Sequence, residues 1–297
     1  MSKKRIETTT SKTAEWTCLS RAISSLEKRP HYRSDDRLAL SLVPGFVRLL
    51  LRVPFAGRLF LKAFAAKGMY EYVIARTKYI DAVFKRALSE RFAQVLLFGA
   101  GFDTRALRFQ KEAGEARIFE LDAAVTQEAK IGQYRKRGLG IPSNVVFVPI
   151  DFDKEFLTLK LDQAGFQRDA KTLFILEGVS MYLEPESVDQ TFRTIQELAG
   201  AGSEVVFDYI QASVLRHEGA RYGEKGTTKT MAKTGEPWRF GLEEGEIGPL
   251  LSRYGFELRD RRDAHDLEEM FFQDPAGGVV GRINATHCLA RAVRVEE

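Results

Sequence analysis

Only two cysteines, four histidines and two tryptophans occur in 297 residues. Cys18 and Cys288 stand far apart and make neither a metal-ligand nor a redox spacing. That excludes a zinc ribbon or a thioredoxin-like centre, and it predicts a reduced, cytoplasmic chain with no structural disulfide. His31, His217, His265 and His287 form no HExxH pair and no close cluster, so no metal site is expected. No stretch approaches the roughly 18 apolar residues of a spanning helix, so no transmembrane segment is expected. The opening MSKKRIETTTSKTAEW has no apolar core of the signal-peptide kind. A GxxxxGK[ST] phosphate loop is missing too, which argues against a nucleotide-hydrolysing fold.

What is present is unevenly charged. Residues 1–90 carry 18 Lys/Arg against 8 Asp/Glu, whereas the rest carries 27 against 33. Such a basic segment either packs on an acidic body or steers an anionic substrate. Two helices are predicted in it, over SKTAEWTCLSRAISSLEKR and EYVIARTKYIDAVFKRALSERF. Between them, residues 42–68 are apolar, broken by Pro44 and Pro54 and studded with cations. This segment reads as a lid over an apolar channel, as a packed helical pair with its cations in water, or as a membrane-surface element.

From Gln94 onward the pattern becomes regular. QVLLFG, ARIFELD, NVVFVPID, TLFILEG and SEVVFDY are short runs rich in Val, Ile, Leu and Phe. Runs of this kind suit parallel strands buried on both faces. TRALRFQKEAG and PESVDQTFRTIQELAG fit crossover helices between them. GFELRDR and NATHCLARAV supply two closing strands. The expectation is an α/β, Rossmann-like fold with a mostly parallel sheet of about seven strands. It divides into a helical segment with its lid at 1–90 and a sheet-bearing core at 91–297.

The first strand ends in Gly99 and Gly101, within VLLFGAGFDTRALRF (95–109). At the carboxyl end of a first parallel strand, glycines permit a tight turn and a close ligand approach. Thr104 occupies the third glycine position of GxGxxG, which weighs against a dinucleotide pyrophosphate. About twenty residues on, Glu120 and Asp122 close the second strand, where an acid binds ribose hydroxyls. Asp103, Asp151 and Glu177 also fall at or just after strand ends. Carboxylates around one crevice would repel a pyrophosphate and tolerate a sulfonium and an ammonium, which favours S-adenosyl-L-methionine as the cofactor.

GAGFDTRA, FELDAAVTQEAK, VPIDF and LEGVSMYLEPESV together resemble the leucine carboxyl methyltransferase family. So do ARTKYID, YRSDDRLA and WRFGLEEGEIGPLLSRYGFEL, and the likeness spans roughly 13–291. The resemblance implies a class I methyltransferase fold with an antiparallel last strand and helices above the sheet. It implies that Arg76 binds the cofactor carboxylate and that Gly99 and Gly101 form the cofactor loop. It further implies that Asp122, rather than Glu120, holds the ribose. Asp151 and Phe152 would then lie beside the adenine, and Glu177 near the amino group and sulfonium. The family often places a proline at or just after the position following Asp122, where this chain has alanines.

The resemblance thus implies methyl transfer to oxygen. A carboxylate acceptor, with a pKa of about 4, is already ionised and needs no base; a phenol, at about 10, needs one. Glu177 and Tyr182 are the expected catalytic side chains, Tyr182 through contact with the acceptor, and His217 is a candidate base. The expected partner is a small molecule, anionic and partly apolar. A polyketide-type phenol and a protein C-terminal carboxylate are the alternatives, and a non-catalytic cofactor-binding module or an NAD-dependent oxidoreductase would be different classes. No NPPY-like stretch follows the fourth strand, so nucleic acid is not expected as a substrate.

Overall fold

A computed structural model describes residues 10–53, 57, 59–61, 65–151, 155–234 and 236–295. Eight strands form one sheet: β1 (Gln94–Phe98), β2 (Arg117–Asp122), β3 (Val145–Pro149), β4 (Thr172–Leu176), β5 (Glu204–Gln211), β6 (Gly241–Leu242), β7 (Phe256–Arg262) and β8 (His287–Arg294). The order is β3-β2-β1-β4-β5-β8-β7, with the two-residue β6 paired to β5. All pairings are parallel except those of β8, which runs antiparallel to both β5 and β7. The expected fold is therefore the observed one, with the antiparallel last strand. The short β6, inside WRFGL, is an addition to the seven expected strands.

Central strands β1, β4 and β5 are buried at every residue, as their unbroken apolar runs require, whereas edge strand β3 is not. Side chains alternate across the sheet. Val95 and Leu97 of β1 join one apolar cluster with Ile74, Ile80 and Phe84 of the Met69–Ser89 helix. Leu96 and Phe98 join the opposite cluster with Val188, Phe192 and Ile195 of the Pro185–Leu198 helix. Two cations of the basic N-terminal segment pair with acids of the body. Arg86 bonds Glu204 of β5, and Arg76 pairs with acids of the sheet.

One local expectation is corrected, and further helices appear. TRALRFQKEAG is two short helices, Arg105–Arg108 and Gln110–Ala113, because Phe109 leaves the helical region at φ −105°, ψ 25°. The polar stretch after β5 contains the helices Ala212–Leu215 and Glu224–Thr234. The Ala124–Lys136 and Leu157–Gln163 helices had no separate sequence signal of comparable strength; the first is polar over most of its length and buries only Thr126, Gln127, Lys130 and Tyr134.

The strand register positions the site. Phe98 lies opposite both Leu121 and Leu176, and Leu176 lies opposite Phe207. The next residue of each strand therefore falls in one row: Gly99, Asp122, Glu177 and Asp208. This row crosses the point where β2 leaves β1 on one side and β4 on the other, the usual ligand position in such sheets.

Candidate active site

A cavity of about 890 Å³ opens over this row. Gly99, Gly101, Asp103, Asp122, Asp151, Glu177, Tyr182 and Arg76 all line it. Phe152 lies outside the described residues. Glu120, Arg105 and His217 do not line the cavity. His217 is exposed, in a turn with φ 55°, so the site gives it no place as a base.

Gly99 and Gly101 both have positive φ, 57° and 48°. A Cβ on Gly99 would stand 2.9 Å from Val179 Cγ2, and one on Gly101 would stand 3.2 Å from Ala14 Cβ. Glycine is required by backbone conformation and by space. The turn aims its amides at the second strand: Gly101 N–H donates to Asp122 Oδ2 at 2.5 Å, and Ala123 N–H to Oδ1 at 2.7 Å. Burial raises the Asp122 carboxyl while these amides lower it, and the balance is a raised pKa. The Thr126 side chain adds a further lowering bond, and a carboxylate has about four acceptor positions, so capacity for another donor remains.

Glu120, its neighbour two residues back, faces away. Its Oε2 accepts from Lys130 Nζ at 2.6 Å, and both side chains are buried. Burial pushes its pKa up to about 7, against the lowering pull of Lys130. The pair holds the Ala124–Lys136 helix to β2, helped by Gln127 Nε2 donating to the Glu120 carbonyl at 2.9 Å.

Glu177 sits between two arginines. Arg76 Nε lies 3.1 Å from Oε1, and Arg105 Nη1 donates to Oε2 at 2.7 Å. Arg105 is fully buried and also bonds Asp103 and, at 2.7 Å, Asp81. Asp103 is held well below the usual carboxylate range: burial opposes this, but Arg105 and Arg21 outweigh it. Asp103 also accepts from the Arg105 backbone N–H at 2.6 Å, so the two residues form a structural pair at the start of the Arg105–Arg108 helix. Tyr182 is half-buried, and its hydroxyl donates to Met231 Sδ at 3.8 Å. Burial raises its pKa, so the phenol stays protonated near neutrality.

Several site groups were not singled out from sequence. Asp208 is wholly buried, and its carboxylate accepts from Arg76 Nη1 at 2.6 Å, Tyr72 Oη at 2.8 Å and Gly178 N–H at 2.6 Å. An acid closing the apolar run VVFDY carried the same signal as Glu177 in TLFILEG. His287 stacks on Tyr72 with centroids 4.4 Å apart, edge-on to Trp238 at 5.1 Å. At the cavity mouth Thr13 Oγ1 donates to Glu236 Oε2 at 2.5 Å, Ser11 Oγ lies 3.4 Å from it, and Arg239 bonds Glu184. Among the described residues, no group of three or more His, Cys, Asp or Glu side chains is placed to hold a metal, and both cysteines are buried and free.

His287 gives this cluster a pH signature. Burial lowers its pKa to about 3, so it folds neutral and must gain a proton on unfolding in acid. Its contribution is complete above pH 6.5 and is lost as pH falls toward 3, at about 1.4 kcal/mol per unit. Glu120 acts in the opposite sense, since its raised pKa favours folding as pH falls from 7. The difference between wild type and His287→Phe isolates the histidine. By urea unfolding, the wild-type advantage is expected to shrink steadily from pH 6.5 to 4; parallel profiles would refute the assignment.

The site suits S-adenosyl-L-methionine. Two glycines clear backbone space, a carboxylate with free lone pairs stands at the second strand end, and an arginine and a glutamate face the same cavity. The profile of the family described as "Leucine carboxyl methyltransferase" matches residues 14–196. YktD of Bacillus subtilis (strain 168), named a "Putative S-adenosyl-L-methionine-dependent methyltransferase", is 30% identical over 201 residues. That alignment takes in 68% of this chain and 66% of YktD, slightly under two thirds of the relative. FRAAL3718 of Frankia alni, which bears the same description, is 28% identical over 280 residues, 90% of this chain and 92% of that one. Among solved structures, a DUF574 family protein from Streptomyces avermitilis superposes with a TM-score of 0.59 at 16% identity, covering 98% of this chain and all of that one, which bears on the fold alone. The chain belongs to the leucine carboxyl methyltransferase family of S-adenosyl-L-methionine-dependent methyltransferases.

Proposed function

We propose that the protein methylates the carboxylate of a small, partly apolar acid. The observation carrying this reading is the composition of the cavity wall. Among the described residues its ionisable groups are carboxylates, arginines, one lysine and one tyrosine, with no histidine or cysteine. A carboxylate acceptor is ionised near neutrality and needs only positioning and exclusion of water. A phenol would need a base, and Tyr182, kept protonated by burial, is a poor one.

In this reading Asp122 holds the ribose hydroxyls of the donor, Arg76 its carboxylate, and Glu177 its ammonium. Asp151 lies beside the adenine. When bound, the donor supplies an electrophilic methyl group on a cationic sulfur. Glu177, charge-compensated by Arg76 and Arg105, still has lone pairs for an ammonium. Tyr182, beside Val179 and Leu183 in the wall, orients the acceptor. Apolar lining residues such as Phe98, Phe102 and Ile150 exclude water from the transfer.

The test is a screen of aromatic and fatty acids with methyl-labelled donor, followed by mild alkali. A methyl ester releases its label as methanol, whereas a phenolic ether keeps it. Label that survives alkali would sink the carboxylate reading and leave the phenolic one.

A further inference from the structure

Residues 37–70 contain six Lys/Arg and no Asp or Glu. Inside this stretch lies the Gly45–Leu50 helix. Its turn continues through Arg52 N–H to Leu49 C=O at 3.1 Å and Val53 N–H to Leu50 C=O at 3.0 Å. Phe46, Leu49, Leu50 and Val53 follow the i, i+3, i+4, i+7 spacing of a helical stripe that normally faces a core. Here the stripe faces water. Phe46 is 76% exposed, Leu49 64%, Leu50 51% and Val53 56%, and nearby Leu59 is 71% exposed. The contacts to the body are made by Val47 and Leu51 instead, which pack on the cluster of Cys18, Leu42 and Phe102.

Isolated exposed apolar residues need no explanation, but a clustered stripe does. Five of the thirteen exposed large apolar side chains among the described residues fall within 46–59. Arg48 and Arg52, one helical turn apart, flank the stripe, and the segment itself offers them no carboxylate. Apolar residues that would enter an acyl boundary and cations that would meet headgroup phosphates are the two signals of interfacial binding. A second copy of the chain fits less well, because a two-fold contact would bring like-charged segments face to face.

We propose that this face docks the protein on an anionic lipid bilayer. The inference does not depend on which acceptor is methylated, since it reads binding alone.

The test is flotation of the full chain with vesicles of phosphatidylcholine, or of phosphatidylcholine mixed equally with phosphatidylglycerol, at about 0.1 M salt. The protein is expected to bind the anionic vesicles at least about tenfold more tightly than the neutral ones. Phe46→Ser with Leu49→Ser should weaken that binding about fivefold or more, with an unchanged melting temperature, since both residues are exposed. Arg48→Glu with Arg52→Glu should do the same. No binding to anionic vesicles would overturn the proposal. So would binding that the serine variant leaves intact. A dimer in light scattering that the serine variant converts to monomer would also overturn it, by assigning the face to a second copy.

Discussion

Replacing Asp208 by alanine is expected to remove about 3–5 kcal/mol of folding stability, the range for breaking a buried ion pair on one side. The carboxylate is fully buried and accepts three hydrogen bonds from two distant parts of the chain: from Arg76 and Tyr72 on the Met69–Ser89 helix, and from the Gly178 amide after β4. Burial alone would raise its pKa, yet Arg76 and the Gly178 amide bring it below the ordinary carboxylate value. Truncation leaves a buried guanidinium short of one counter-charge, and a buried phenol and a part-buried amide each without its acceptor. Asp208→Asn keeps the shape and an acceptor oxygen, and should lose less. Urea unfolding at pH 7 reads both. A loss below about 1 kcal/mol for the alanine variant would mean that the network relaxes onto Glu177 or water, against this account.

Asp122→Ala is expected to weaken S-adenosyl-L-methionine binding about 100-fold, equivalent to about 2.7 kcal/mol. The carboxylate already fixes the glycine turn through the Gly101 and Ala123 amides, so on the proposed ribose role its loss would remove charge-assisted bonds to the ligand and loosen the turn together. Glu120→Gln is the matched control, because Glu120 is spent on Lys130 and does not reach the cavity. Its donor affinity should stay within about threefold of wild type, a change under 1 kcal/mol. Calorimetric titration of the three proteins decides. Wild-type affinity in Asp122→Ala, or a large loss in Glu120→Gln, would exchange the roles of the two acids.

Much of this architecture was legible because it rests on local signals. The apolar runs of β1, β2, β3 and β4 end at or beside residues that line the cavity, and the register simply lines those ends up. Asp122, Glu177 and the two glycines were visible for that reason. The Arg76–Asp208–Tyr72 network was harder to see, since its bonds join residues more than 130 positions apart. Asp208 could have been flagged from the acid closing VVFDY, but His287 could not. Nothing local distinguishes a histidine at the start of an edge-ward strand from one stacked on a buried tyrosine. The short Arg105–Arg108 helix hid Arg105 in another way. It looks like a surface cation of a crossover helix, and only the fold turns it inward onto Glu177.

The closure at the cavity mouth has a kinetic corollary. Ser11 and Thr13 reach across to Glu236, so two segments distant in sequence form one roof over the cavity. On the proposed placement of the donor, its spent form would leave past this same bridge, held by the groups that held the fresh one. Lifting of the arm would then be a step of every turnover beside the transfer itself. The same placement would make the by-product a competitor of the donor, whatever the methyl acceptor.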